Sequence, residues 1–381
     1  RSADSAEHVE FVEELVGKKY LDVKVLGGKE KLFSLPIAVF QSVNDEIAYV
    51  RKKGGVRLPL SVCRPPHLFV DQARRFAIFS DKFFVIPSAQ VGISGDCRDA
   101  ETLKALALLI NSDFARYHQF FSSIQWGVQK NIANKENLEA LPIPLDRLSP
   151  TTLEQWVELH DALADIDDRS YQESEHFLVL PNEEDPNRQA LIAQINEFVF
   201  DALQITSSEH LLIQDLVHGR MGLLQGKVDK TLMQAPGDGE LIRHANILLS
   251  ELNNFLAPQL GLHHHLRIHR DVYYSVLEIT LDSSLPSSAD ILVTPVSESL
   301  SGRLRQLREQ LGPRHDQWLY FERKLTLFDG PRTYLLKPMQ RLQWLPSQAL
   351  LDADSLIADT LAATGSDGGV EGLSSVSTSH V

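Results

Sequence analysis

Three groups of side chains have the types and spacing to do chemistry. The first is Gln125, Trp126, Gln129, Lys130, Asn131 and Lys135, gathered in "SSIQWGVQKNIANKE". Amides and cations hold phosphate oxygens and read base edges, Gln and Asn pairing with adenine and Arg and Lys with guanine in the major groove. The bland reading is a structural loop with Trp126 as a hydrophobic plug. The second group, "VRKKGGVR", sets Arg51, Lys52, Lys53 and Arg57 around two glycines with no acidic residue among them. That run suits phosphates and equally suits a solvated loop. The third is "HHHLRIH", with His263, His264, His265 and His269. Imidazole binds metals, but no Cys or acidic partner stands at ligand spacing and adjacent residues rarely converge on one ion. A solvated helix-to-strand turn is expected there, and no metal ligand is assigned.

Reaction motifs fail one after another. "GISGD" at 92–96 has its second glycine one place too early for a nucleophile elbow. In "GLLQGKVDK", Val228 stands where a phosphate loop needs Ser or Thr, and the first glycine is too close. "RHD" at 314–316 is not a kinase loop. With no nucleophile, metal cluster or cofactor loop, the chain reads as a recognition or docking part, and no catalytic residue is assigned.

The totals set the frame. At 381 residues the chain exceeds a usual single domain, and 43% hydrophobic with 23% charged residues is ordinary for a globular core. Cys63 and Cys97 lie far apart with no CxxC pattern, which suits a reducing compartment. No apolar run approaches the ~20 residues of a membrane span, and no signal-peptide core opens the chain, so a cytoplasmic protein without membrane contact is expected. The missing initial methionine suggests the later part of a longer chain. A net charge of -14 speaks against nucleic acid until it is located. Residues 1–150 carry 20 basic and 18 acidic groups, net +2, which leaves -16 for residues 151–381.

The elements that must position these groups follow from periodicity. Val9, Val12 and Val16 predict a short helix ended by Gly17. "YLDVKVL", "KLFSLPIAVF", "HLFVDQ", "RFAIFS" and "KFFVIPS" read as strands. Leu103, Leu106, Ile110, Phe114, Tyr117 and Phe121 form one helical stripe, the three aromatics expected in the core. The pattern fails after Phe121, and Asn134 can cap a short helix that Pro142 and Pro144 end. Helices with acidic outer faces follow, then strands "RDVYYSVLEITL", "ADILVTPVS", "QWLYFERKLTLF" and "RTYLLKP", the last two joined by an Asp329-Gly330 turn. The expected fold class is α+β. Residues 1–30 are a leader, 31–148 a β-rich domain, 149–267 an acidic helical region and 268–362 a small α+β domain. The Gly/Ser-rich 363–381 is expected to be a disordered tail.

"PHLFVDQARRFAIFSDKFFVIPSAQVGISG" and "LKALALLINSDFARYHQFFSSIQWGVQKNIANKENLEALPIPL" together resemble the region after the catalytic domain in N6-adenine DNA methyltransferases of restriction-modification and phage-defence systems. The matching positions are Ala107 to Ser112, Tyr117, Gly127, Ile132, Leu138 and Leu141 to Pro144. The resemblance covers residues 60–145, and "YLLKPMQRLQW" with "SQALLDADSLIADTL" is similar to the tail of such proteins. It implies a target-recognition domain that holds double-stranded DNA. The family's Asn-Pro-Pro-Tyr motif and glycine-rich S-adenosylmethionine loop are missing, and "LPNEEDPN" has the wrong order. S-adenosylmethionine and the extrusion of one adenine would then belong to a catalytic domain upstream or on another chain, with other defence subunits as further partners. The rival readings are a protein-docking module that touches no DNA and, less favoured, a hydrolase with an unseen site.

Overall fold

In "HLFV" and "AIFS" every second side chain turns to the same face, and both faces are apolar, so these strands can only sit between two layers. The computed structural model describes residues 9–26, 29–53, 56–57, 59–87, 90–123, 135–172, 185–224, 230–256, 261–282, 291–311 and 323–366. It divides into two compact units, residues 1–213 and 214–381. The fold class is α+β, with the elements of both kinds in each unit.

The first unit begins with β1 (Val9–Phe11), β2 (Lys19–Leu21), β3 (Phe40–Ser42), β4 (Tyr49–Lys53) and β5 (Val56–Arg57). These make a sheet of order β1-β4-β5 and a β2-β3 pair. A second three-stranded sheet, β7-β6-β8, uses β6 (His67–Val70), β7 (Ala77–Ser80) and β8 (Val91–Ser94). Leu68, Val70 and Ala77 face the helical core, while Phe69, Phe76 and Ile78 pack with Leu21, Leu26, Val39 and Phe84. Five helices lie in this unit after the strands: α1 (Ala100–Asn111), α2 (Asp113–Ser122), α3 (Lys135–Glu139), α4 (Pro150–Gln172) and α5 (Pro186–Leu203), followed by α6 (Ser207–Gln214).

Helices α4 and α5 belong with this β-rich part. Trp156 is buried and stacks on Phe198 at 6.0 Å, joining α4 to α5. The buried Arg188 guanidinium donates from Nε to Asp167 Oδ1 at 2.9 Å and from Nη2 to the Lys31 carbonyl at 2.7 Å. Asp167 Oδ2 accepts the Phe33 amide at 2.8 Å. One ion pair thus ties two helices to a loop more than a hundred residues earlier. The stretch expected as a separate helical region at 149–267 is apportioned between the two units.

The second unit has α7 (Met221–Leu224), α8 (Lys230–Met233), α9 (Asp238–Phe255), β9 (His263–Arg270), β10 (Tyr274–Asp282), β11 (Val293–Pro295), α10 (Glu298–Leu311), β12 (Leu325–Asp329), β13 (Arg332–Pro338) and α11 (Pro346–Ser366). Its sheet runs β11-β9-β10-β13-β12. Alternation along β10 puts Leu277 and Ile279 against α9 and α11, and Val276 with Leu300 and Leu304 of α10 on the other face. Gly330 at φ +59° makes the expected turn between β12 and β13.

Several local expectations are corrected. Residues 9–11 form a strand paired to β4 rather than a helix, because β4 offers a backbone ladder that three valines at helical spacing cannot outweigh. The segment at 82–88 contributes a single bridge at Val85. The histidines expected in a turn lie within β9, where successive side chains point to opposite faces. No helix among the described residues is long and apolar enough to cross a membrane.

A buried charged cluster closes the second core. Lys337 and Asp352 are an ion pair, 1% and 0% exposed, and the Lys337 ammonium lies 5.0 Å from the Trp344 ring. His244 Nε2 lies 3.2 Å from Lys337 Nζ and 3.3 Å from Asp352 Oδ2, and its Nδ1 lies 3.2 Å from the Leu345 carbonyl oxygen. Burial and the Lys337 charge push the His244 imidazole down to about 4, against the pull of Asp352. Burial works to raise the Asp352 carboxyl, but Lys337, His244 and Lys324 outweigh it and hold it below the ordinary carboxylate range.

Both groups bind protons less readily when folded, so the unit loses stability as pH falls. The denaturation midpoint reported by α9 and α11 amide exchange should decline from about pH 6.5 downward, first through His244 and then through Asp352. A flat or rising profile contradicts this assignment. Asp352→Ala, which leaves Lys337 buried and unpaired, should cost about 3–5 kcal/mol.

Candidate nucleic-acid interface

The motif that carries the resemblance turns out to be a corner joint. The single helical stripe expected at 100–123 is broken at Ser112, whose backbone is extended at φ -73°, ψ 161°. Its hydroxyl accepts the Ala115 amide at 3.1 Å and donates to the Leu109 carbonyl at 2.7 Å, which caps α2 and closes α1. The preceding Asn111 carboxamide meets the edge strand β7: Oδ1 accepts the Ala77 amide at 3.0 Å and Nδ2 donates to the Ala77 carbonyl at 2.8 Å. A side chain here substitutes for the next strand of the sheet. Asp113 then accepts from Lys31 Nζ at 2.7 Å and from Asn196 Nδ2 at 2.8 Å, fixing α2 to α5.

The corner determines where the amide-rich loop leaves and returns. Asn137 Nδ2 donates to the Ser122 carbonyl at 2.5 Å, joining the end of α2 to the start of α3. Leu138 and the buried Leu141 seat α3 and the following "LPIP" on the core. Gln125, Trp126, Gln129, Lys130 and Asn131 lie outside the described residues. Lys135 opens α3, exposed, with its ammonium 2.5 Å from Glu139 one turn on.

The basic run forms the β4–β5 hairpin. Lys52 and Arg57 are register partners, as are Lys53 and Val56. Lys52 also reaches Glu10 Oε2 at 3.4 Å. Arg51 is exposed and lines a cavity of about 420 Å³ with Tyr49, Leu60, Val62 and Gln90. Lys135 lines a second cavity of about 300 Å³ with Leu106, Leu138 and Ile143. Gly92 of β8 lines both. The two basic regions, far apart in sequence, therefore flank one strand. A Cβ at Gly92 would come within 2.8 Å of Ile86 Cδ1, 3.1 Å of Val62 Cβ and 3.2 Å of the Val62 carbonyl oxygen, so a larger residue at the meeting point would have to displace its neighbours.

Phe121 differs from expectation. It is 65% exposed, with Phe120 edge-on at 5.3 Å and Tyr117 at 4.8 Å. Its place at the end of α2 puts the ring at the root of the loop, which the helical stripe alone did not indicate. The electrostatic picture also changes. With α4 and α5 included, residues 1–213 hold 22 basic and 32 acidic groups, so the basic hairpin sits on an acidic body.

No protein-family model matches the chain, and no curated protein matches it. Nucleotide cofactors of open α/β folds bind at the carboxyl ends of parallel strands, whereas the described strand pairs of the first unit are antiparallel.

Asn111→Ala removes both partners of the Ala77 backbone and should lower stability by about 2–4 kcal/mol in urea unfolding. Asn111→Asp keeps the acceptor but sets an oxygen against the Ala77 carbonyl, and should cost at least as much. A loss below about 0.5 kcal/mol for both would show that the corner is held by packing alone.

Proposed function

We propose that this chain is the DNA-recognition portion of a site-specific adenine-N6 methyltransferase, holding duplex DNA for a catalytic domain that it does not contain. The observation that supports the reading is the meeting at Gly92: Arg51 of the basic hairpin and Lys135 at the base of the amide-rich loop line two cavities that share this residue. Cations of the hairpin hold phosphates and fix register, while loop amides read base edges. The exposed Phe121 ring offers a stacking face. S-adenosylmethionine belongs to the missing catalytic domain, which extrudes the adenine, and other defence subunits are further partners.

A second reading, a protein-docking module, draws on α4. Glu154, Glu158, Asp161, Asp165 and Asp168 recur at intervals of four and three along one helix, a stripe that repels duplex and attracts a basic protein. On this reading the chain holds a basic protein partner and touches no DNA.

Fluorescence anisotropy with a duplex of about 20 base pairs separates the readings. Recognition predicts binding that weakens steeply between about 50 and 200 mM salt, with Arg57→Ala and Lys130→Ala each lowering the slope of log K against log salt by about 1. Absence of binding at low salt, or a salt slope that neither variant changes, rejects the proposal in favour of docking.

A further inference from the structure

The small apolar core beneath the β1-β4-β5 sheet is open on one side. Val12, Leu15, Val43 and Ala48 are its buried members, and Tyr20, Val50, Leu60 and Val85 pack against them only partly buried. Six of these eight residues, all but Val12 and Ala48, also line the cavity of about 420 Å³ at Arg51. A cavity of this size walled by core side chains is the usual form of a small-molecule site, since a guest with an apolar body takes that wall out of water. Ile47 and Tyr49, 44% and 43% exposed, carry the lining out to the protein surface and give the cavity an entrance.

The polar groups of the lining select the charge of the guest. Among the residues that line the cavity, Arg51 is the only charged one, and its side chain is exposed. The carboxylates nearby in the chain are placed elsewhere: Glu10 of β1 is engaged by Lys52 at 3.4 Å, and Asp45 and Glu46 are exposed and outside the lining. The Tyr20 hydroxyl donates to Gln41 Oε1 at 2.6 Å, and Cys63 Sγ accepts the Ile86 amide at 3.4 Å. Gln90 Oε1 accepts the Gln72 amide at 2.5 Å, so what Gln90 can offer a guest is its N–H donors. A guanidinium and an amide donor on an apolar cavity ask for an acceptor that carries negative charge. Carboxylate matches guanidinium through two parallel hydrogen bonds, whereas a cationic guest finds no counter-charge in this lining.

We infer that this cavity binds a small carboxylic acid with an apolar body, of the fatty-acid or aryl-acid type, its body on the open core and its carboxylate on Arg51. Such a guest would complete the core and tie β2, β4 and β8 together, because the lining takes Tyr20, Arg51 and Gly92 from those three strands. The assignment does not rest on DNA recognition.

Titration calorimetry of the full chain with decanoate, decanol and decyltrimethylammonium, which share a chain and differ in charge, tests the assignment. Decanoate should saturate a single site with a Kd below about 1 mM, and the other two should bind at least about fivefold more weakly. Arg51→Gln, an exposed change with little folding risk, should weaken decanoate about fivefold and leave decanol unchanged. Amide exchange should slow at residues 43–52 and 60–63 when decanoate is bound, which locates it in this cavity. Leu60→Trp, which fills the cavity, should abolish decanoate binding, with the far-ultraviolet spectrum as the folding control. The inference is overturned if decanoate does not saturate by about 5 mM. Equal binding of the three probes, indifference to Arg51→Gln, or protection confined to other residues overturns it as well. Each of these readouts is taken without DNA, so its failure is distinguishable from failure of duplex binding.

Discussion

The edge of a sheet exposes one row of backbone donors and acceptors, and when that edge is buried each group must find a partner. At β7 the partner of Ala77 is the carboxamide of Asn111, which presents an acceptor and a donor in the spacing a neighbouring strand would offer. The amide of Asn carries both on adjacent atoms of one planar group, at the last turn of α1. Because the same turn is capped by Ser112, the direction of α2 is set by two hydrogen-bonded residues in succession. The position of everything beyond α2, including the root of the amide-rich loop, depends on that joint.

Around the joint the unit is held by polar ties that span long stretches of chain. Arg188 and Asp167 connect α4 and α5 to residues 31–33, and Asp113 connects α2 to Lys31 and Asn196. Buried ion pairs contribute less to net stability than their Coulomb energy suggests, since desolvation opposes them. Their effect is on specificity of arrangement: each is satisfied in one geometry only, so helices that are interchangeable by apolar pattern are docked in one order. The result is an acidic body, 22 basic against 32 acidic groups in residues 1–213, in which the run at residues 51–57 holds four cations and no acidic residue. On the proposed reading a duplex meets that run in preference to the acidic surface, which favours orientation over affinity.

Much of this was legible from residue patterns. Strands at 67–70 and 77–80 and helices α4, α5 and α9 follow from period and punctuation, because their apolar faces are long and unbroken. The break at Ser112 was not, since Leu106, Ile110 and Phe114 continue the stripe across it and only the Asn-Ser pair hints at a cap. Residues 9–11 were misread because strand pairing to β4 is a long-range event that local spacing does not encode. The basic hairpin was recognisable from its composition, yet its nearness to Lys135 appears only when β8 lies between them.

The claim that the hairpin and the loop root form one surface for duplex DNA is tested most directly by hydrogen–deuterium exchange of the chain with and without a duplex. The account predicts slowed exchange at residues 49–57 and 121–139 together, with α4, α5 and the second unit unchanged. Protection confined to α4, or none at either basic region despite saturating duplex, would contradict it.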